Sequence, residues 1–221
     1  MKPGHVLAHG FRASEFLRNN SSLAAEHPSQ PNPVGTPRRI GSAEIQAAIT
    51  RLAAAISVRH HHARSLLLLG IANGGIELTC RLARQLAIAN PQRTVHAGTL
   101  DISFHRDDIG QHPIPNEIAP THIPADVHGA NVVLVDDVLF SGRTAKAALN
   151  ELFDHGRPAK VELAVLVDRG GRRLPLAADY AGLILAPGED EKVVVKLDPA
   201  SFKRDSIRVE TKGTTLVRSL R

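Results

Sequence analysis

The stretch from Val132 to Leu152, VVLVDDVLFSGRTAKAALNEL, constrains this chain more than any other. Its first half is an apolar run that stops at two adjacent carboxylates, Asp136 and Asp137, the pattern of a buried parallel strand with an abruptly polar exit. Its second half has the spacing of a helix. Ser141, Gly142 and Thr144 fall at the junction, where a helix leaves backbone N–H groups unpaired and its dipole positive, so the pattern predicts a phosphate cradle. Neither the Gly-Lys-Ser/Thr of a P-loop nor a G-x-G-x-x-G fingerprint occurs there. Carboxylates accept hydrogen bonds from hydroxyls and repel bare phosphate, so acids beside an anion site suit a ligand such as ribose 5-phosphate. The plainer alternative is that Asp136 and Asp137 only end a strand and begin a turn.

The rest of the chain reads as one α/β domain with extensions. At 221 residues, 43% hydrophobic, it is long enough for a real core. No apolar run approaches the about 18 residues of a membrane span, and no signal h-region opens the chain, so a soluble, cytoplasmic protein without membrane partners is expected. Residues 1–42 are rich in Pro, Ser and Asn with little periodicity and read as a disordered arm. A serine cap at Ser42 then precedes Ile45, Ile49, Leu52 and Ile56 at helical spacing. His60, His61 and His62, three in a row, do not converge on one metal and read as a solvated helix end; no protein-bound metal is predicted. Cys80, the single cysteine, sits in an apolar helical pattern and reads as a buried structural thiol.

Ser65–Ile71 is a Leu-rich buried strand, and Ala72-Asn73-Gly74-Gly75 follows before a helix carrying Leu78, Leu82 and Leu86, a second strand-loop-helix anion site. Val95–Phe104 is the third strand. The segment 109–131 is long, polar and proline-rich, as lids commonly are. Lys160–Asp168 is another apolar strand whose end should face the same edge as the cradle and supply a base site, through Asp168 and Arg169. Residues 180–186 and 191–197 look like an edge hairpin, and the basic stretch 212–221 like a frayed tail. The domain itself is placed at 43–211.

VVLVDDVLFSGRT resembles the 5-phosphoribosyl-1-pyrophosphate (PRPP) fingerprint of type I phosphoribosyltransferases. GTLDISFHRDD before it and GRPAKVELAVLVDRGGRRLPLAADYAG after it resemble one branch, the bifunctional pyrimidine operon attenuation regulators and uracil phosphoribosyltransferases. The resemblance implies a central, mostly parallel sheet flanked by helices, with a flexible lid loop and a small base-binding hood. It implies conversion of uracil and PRPP to UMP and diphosphate, with Mg²⁺ carried by PRPP, and a homo-oligomer is expected. On this reading Asp136 and Asp137 hold the ribose, with Asp137 the nearest group to take a proton from the base. Val138, Phe140, Ser141, Gly142, Arg143 and Thr144 surround the 5-phosphate, and Arg106, ahead of the lid, also meets substrate.

In the same family the loop Gly70, Ile71, Asn73, Gly74, Gly75 holds pyrophosphate, usually as Gly-Ile-Lys-Thr-Arg-Gly. Here Ala72 and Gly74 replace the lysine and the arginine. Backbone donors remain and a bidentate cation is lost, so weak PRPP binding is predicted. The branch also binds RNA, and Thr50, Arg51 and Arg172 match its RNA-facing positions. Ala54 stands where a histidine is usual, and Arg173 where a glutamate is. A UMP-sensing RNA-binding attenuator is therefore the second functional reading, and a phosphoribosyl-fold protein without transferase activity the third. Net charge is +5 and aromatic residues are 3%, so an RNA site would work by shape and charge rather than by stacking.

Overall fold

The computed structural model describes residues 39–105 and 119–211. Arg106, residues 109–118 of the expected lid, the arm up to residue 38 and the tail from 212 lie outside them. The elements run in order β1 (Arg39–Ile40), α1 (Ser42–Arg59), β2 (Ser65–Ile71), α2 (Gly75–Ala89), β3 (Thr94–Leu100), β4 (Asn131–Leu139), α3 (Arg143–His155), β5 (Lys160–Asp168), β6 (Tyr180–Ile184), β7 (Glu191–Lys196) and β8 (Ser206–Thr211).

Five strands form a wholly parallel sheet in the order β3-β2-β4-β5-β6. Strand side chains alternate between faces, and the apolar runs are long enough to fill both. Leu66, Leu68, Val133, Val135, Ala164 and Leu166 face α1 and α2, meeting Ile45, Ile49, Leu52, Ile56, Leu78, Leu82 and Leu86. Leu67, Leu69, Val132, Leu134, Leu163 and Val165 face α3, meeting Ala145, Ala148 and Leu152. The chain moves outward from β2 to β3 and then returns past β2 to β4. That reversal opens a crevice at the carboxyl ends of β2 and β4, where ligands of open α/β sheets collect.

β1, β8 and β7 form a separate antiparallel sheet. The expected hairpin of 180–186 with 191–197 does not form: β6 extends the parallel sheet beside β5, and β7 leaves to pair with β8. The small sheet is fastened by Arg81 of α2, whose buried guanidinium donates to Asp205 at 2.5 and 3.1 Å, to the Asp198 carbonyl at 2.8 Å and to Glu77 at 2.7 Å. Four satisfied bonds make burial of this charge tolerable.

Ordered structure begins before the expected boundary at 43, because β1 pairs with β8 and Ile40 is 2% exposed in the core shared with Ile207. Ile40→Ala should cost about 2–5 kcal/mol, or a melting temperature about 5–15 °C lower by calorimetry. An unchanged melting temperature would show that β1 contributes nothing to the domain.

Three local readings are corrected. Gly41, not Ser42, is the N-cap of α1. His60 is buried against Glu162, which also receives the Tyr180 hydroxyl at 2.9 Å and pairs with Arg59 at 2.9 Å and Lys160 at 2.6 Å. A buried carboxylate needs such partners, and that need draws the first histidine of the trio inward. Cys80 is half-buried rather than enclosed. No helix among the described residues is long and apolar enough to cross a membrane.

Candidate functional site

A cavity of about 540 Å³ occupies the crevice between the ends of β2 and β4, lined by Asp136, Asp137, Val138, Phe140, Ser141, Arg143 and Thr144 on one side and Ala72, Gly74 and Ile102 on the other, with Arg173 from the loop after β5. β4 runs through the acid pair to Leu139 instead of ending at it, so a rigid strand presents both carboxylates. Asp136 is 7% exposed, and the backbone N–H of Asp137 donates to its Oδ1 at 2.9 Å. Burial, and then the neighbouring Asp137 charge, holds the Asp136 carboxyl well above the usual carboxylate range, while burial raises Asp137 less. Two unneutralised carboxylates in one cavity suit a ligand that brings hydroxyl donors or a cation.

The turn from β4 into α3 is made by Gly142 at φ 89°, a left-handed conformation that favours glycine. The N-cap Gly142 has no side chain to cap α3; the Arg143 N–H donates to Ser141 Oγ at 3.3 Å, and the other amides of the first turn are left to solvent or an anion beside Ser141, Arg143 and Thr144.

The second loop enters through a cis peptide between Ala72 and Asn73. Gly70 and Ile71 lie within β2 and Gly75 begins α2; all three are packed into the scaffold and do not line the cavity. Asn73 is exposed, and its Oδ1 accepts from the Ala119 backbone at 3.3 Å, on the return of the expected lid. Gly74 has an ordinary helical φ of −62°. What excludes a side chain there is the Asp137 carboxylate, whose three outer atoms lie 2.6–2.8 Å from where a Cβ would sit.

At the end of β5, Asp168 and Arg169 do not line the cavity. Arg169 is 8% exposed, its guanidinium 3.9 Å over the Phe140 ring, and its Nε has no hydrogen-bond partner among the described residues. Arg172 departs from its RNA-facing expectation. Its guanidinium turns inward, donating to Asp168 at 2.6 Å and to the carbonyls of Leu139, Phe140 and Leu176 at 2.9–3.2 Å. The carbonyls converge where two loops meet, and a planar fork reaches several at once. Thr50 and Arg51 are exposed on α1, with Arg51 donating to the Gly182 carbonyl at 3.0 Å.

Ile102 and Arg173 line the cavity without having been singled out as ligand-binding from the sequence. For Arg173 the signal was its substitution for an acidic residue in a loop already assigned to the base site. Elsewhere, His105 Nε2 lies 3.1 Å from Glu151 and 3.2 Å from Asp154, a group able to hold a divalent ion, but it does not line the cavity. The carboxylates that do are Asp136 and Asp137, whose oxygens fit a hard cation such as Mg²⁺.

Residues 41–199 match a family model described as "Phosphoribosyl transferase domain". "Bifunctional protein PyrR" of Roseiflexus is 42% identical over 164 residues, 74% of this chain and 89% of the relative. The protein of the same name from Streptomyces coelicolor is 49% identical over 155 residues, 70% of this chain and 79% of the relative. Among solved structures, Trypanosoma cruzi hypoxanthine phosphoribosyl transferase is similar with TM-score 0.59 at 21% identity, covering 82% of this chain and 95% of that one. A hypoxanthine-guanine phosphoribosyltransferase of Bacillus anthracis has TM-score 0.58 at 20% identity, covering 80% and 100%. At these identities the structural likeness speaks for the fold.

Proposed function

The chain belongs to the phosphoribosyltransferase family, in the group of the bifunctional PyrR proteins, and from that premise we propose that it transfers the 5-phosphoribosyl group of PRPP to uracil, giving UMP and diphosphate. The observation that carries the reading is the sharing of one cavity by the acid pair of β4 and the uncapped start of α3.

The C1–O bond to diphosphate breaks, a C1–N bond to the base forms, and the base nitrogen loses a proton. C1 becomes cationic on the way, so catalysis rests on holding both ends of the ligand and excluding water. Asp136 and Asp137 accept hydrogen bonds from the ribose hydroxyls. The amides opening α3, with Ser141, Arg143 and Thr144, hold the 5-phosphate. The loop from Ala72 to Gly75 faces the diphosphate with backbone donors. Phe140 offers the base an apolar face, and the unpartnered Nε of Arg169 a donor for a carbonyl oxygen. Asp137 is the carboxylate placed to take the base proton. The oxygens of Asp136 and Asp137 would hold the Mg²⁺ carried with PRPP, which would supply charge neutralisation at the diphosphate.

The test is pyrophosphate release from PRPP with uracil, hypoxanthine, guanine and orotate in parallel. Release with uracil well above the other three is expected. No release with any base would overturn the transferase reading, and preference for a purine would overturn the base.

RNA binding is the second activity proposed, in keeping with the bifunctional relatives, and the exposure of Thr50 and Arg51 on α1 favours that helix as its site. Arg51→Gln should weaken binding of a pyrimidine-operon leader RNA and flatten its salt dependence by about one phosphate contact. Identical salt slopes for the variant and the parent would move the RNA site elsewhere. A homo-oligomer and a cytoplasmic location complete the proposal.

A further inference from the structure

The cavity has a charge problem that its central motif leaves open. Any phosphorylated sugar must enter beside two carboxylates, and the loop expected to grip diphosphate contributes Ala72 and Gly74 to the lining where a cation would help. Among the described residues only two cations line the cavity, Arg143 and Arg173. Arg173 comes from the loop after β5, not from the phosphate-binding turn.

That loop is fixed over the turn. The backbone N–H of Arg173 donates to the Ser141 carbonyl at 3.0 Å, that of Leu174 to the same oxygen at 3.2 Å, and that of Arg169 to the Leu139 carbonyl at 3.1 Å. The neighbouring Arg172 guanidinium ties the same two loops together. Arg173 therefore starts from a backbone held in register with Ser141, two residues before α3. Its side chain makes no ion pair or hydrogen bond with the described residues, unlike that of Arg172, and it is exposed to the cavity mouth. A guanidinium in that position delivers a charge-assisted fork to phosphate oxygens held at the start of α3.

We propose that Arg173 is a phosphate-binding residue that closes the 5-phosphate subsite from the base-site loop and supplies this cavity with a cation that the Ala72–Gly75 loop does not. The inference rests on the phosphoribosyl reading given above. It also links the two halves of the substrate, since the loop that carries Arg173 carries Arg169 as well. Order imposed by the phosphate on this loop would be transmitted to the base site.

Calorimetric titration of the full chain with ribose 5-phosphate, PRPP and pyrophosphate tests it, using the parent, Arg173→Gln, Arg173→Lys and Arg173→Glu, with circular dichroism to confirm folding. Ribose 5-phosphate and PRPP should bind about 10-fold more weakly to Arg173→Gln, more weakly still to Arg173→Glu, and with partial recovery in Arg173→Lys, while pyrophosphate affinity is unchanged. In turnover the loss should fall on KM for PRPP more than on kcat. Equal ribose 5-phosphate affinity in the parent and Arg173→Gln would overturn the assignment and leave the transferase reading standing. Loss confined to pyrophosphate would also overturn it, placing Arg173 at the other end of the ligand. A parent that binds neither PRPP nor ribose 5-phosphate would sink the phosphoribosyl reading itself, and this inference with it.

Discussion

Asp136→Asn and Asp137→Asn should each lower kcat/KM about 100-fold or more, roughly 2.7 kcal/mol of transition-state stabilisation, while the fold is retained. Asparagine keeps the shape and one acceptor oxygen but deletes the acid function proposed to hold the ribose. At Asp136 the same change should raise stability. Burial and the Asp137 charge lift the Asp136 carboxyl well above its ordinary range, so the folded state binds this proton more tightly than the unfolded chain does. Stability from that group is therefore fully present below about pH 3.9, the unfolded value, and is lost as pH rises through the raised folded value. Above the unfolded value this buried carboxyl is a burden on the unliganded protein that a neutral amide would not impose. Asp136→Asn should melt higher than the parent at pH 7.5, by about 2–4 °C for each kcal/mol relieved, and the difference should shrink as pH falls toward 4. Melting scans at several pH values, paired with turnover assays, decide it. A variant that loses both stability and activity would show Asp136 to be a structural residue, and near-parent turnover in both variants would remove the pair from the chemistry.

Such a site is legible in sequence where chemistry and local structure coincide. Apolar runs bounded by loops placed β2 and β5 at their observed limits, and the VVLVDDVLFSGRT stretch placed the cavity. What escaped depends on contacts between distant positions. The segments 180–186 and 191–197 fit a hairpin by sequence, but whether β7 pairs with β6 or with β8 is settled by Val193 and Val195 joining Ile207 and Val209 on the core cluster. His60 goes inward because Glu162, about a hundred residues later, is buried and must be satisfied. Arg172 and Arg173 are adjacent arginines in a polar loop, and nothing local assigns one to backbone carbonyls and the other to the cavity. Their division of labour follows from the approach of the β5 loop to the β4 turn.

The same limit governs Gly74, where the sequence argues for restoring a cation and the structure argues against it. An arginine there would be expected to tighten PRPP binding through a fork to diphosphate. The obstacle is not backbone conformation, since φ is −62°. A Cβ at this position would lie 2.6 Å from Asp137 Cγ and 2.7–2.8 Å from its carboxylate oxygens, so any side chain must displace the carboxylate. Asp137 is short and rooted in β4, so its carboxylate moves only by leaving the position from which it lines the cavity. Gly74→Ala should therefore lower kcat/KM about 10- to 100-fold, about 1.4–2.7 kcal/mol, with little change in melting temperature. Gly74→Arg should do no better, because its cation arrives at the expense of an acid. The double variant Gly74→Ala/Asp137→Asn separates the causes. If displacement of Asp137 is the whole effect, adding Gly74→Ala to Asp137→Asn costs much less than it does in the parent, a non-additivity that steady-state kinetics reads directly. Full additivity would mean that Gly74 serves the diphosphate independently, and a lower KM for PRPP in Gly74→Arg would restore the cation argument drawn from the sequence.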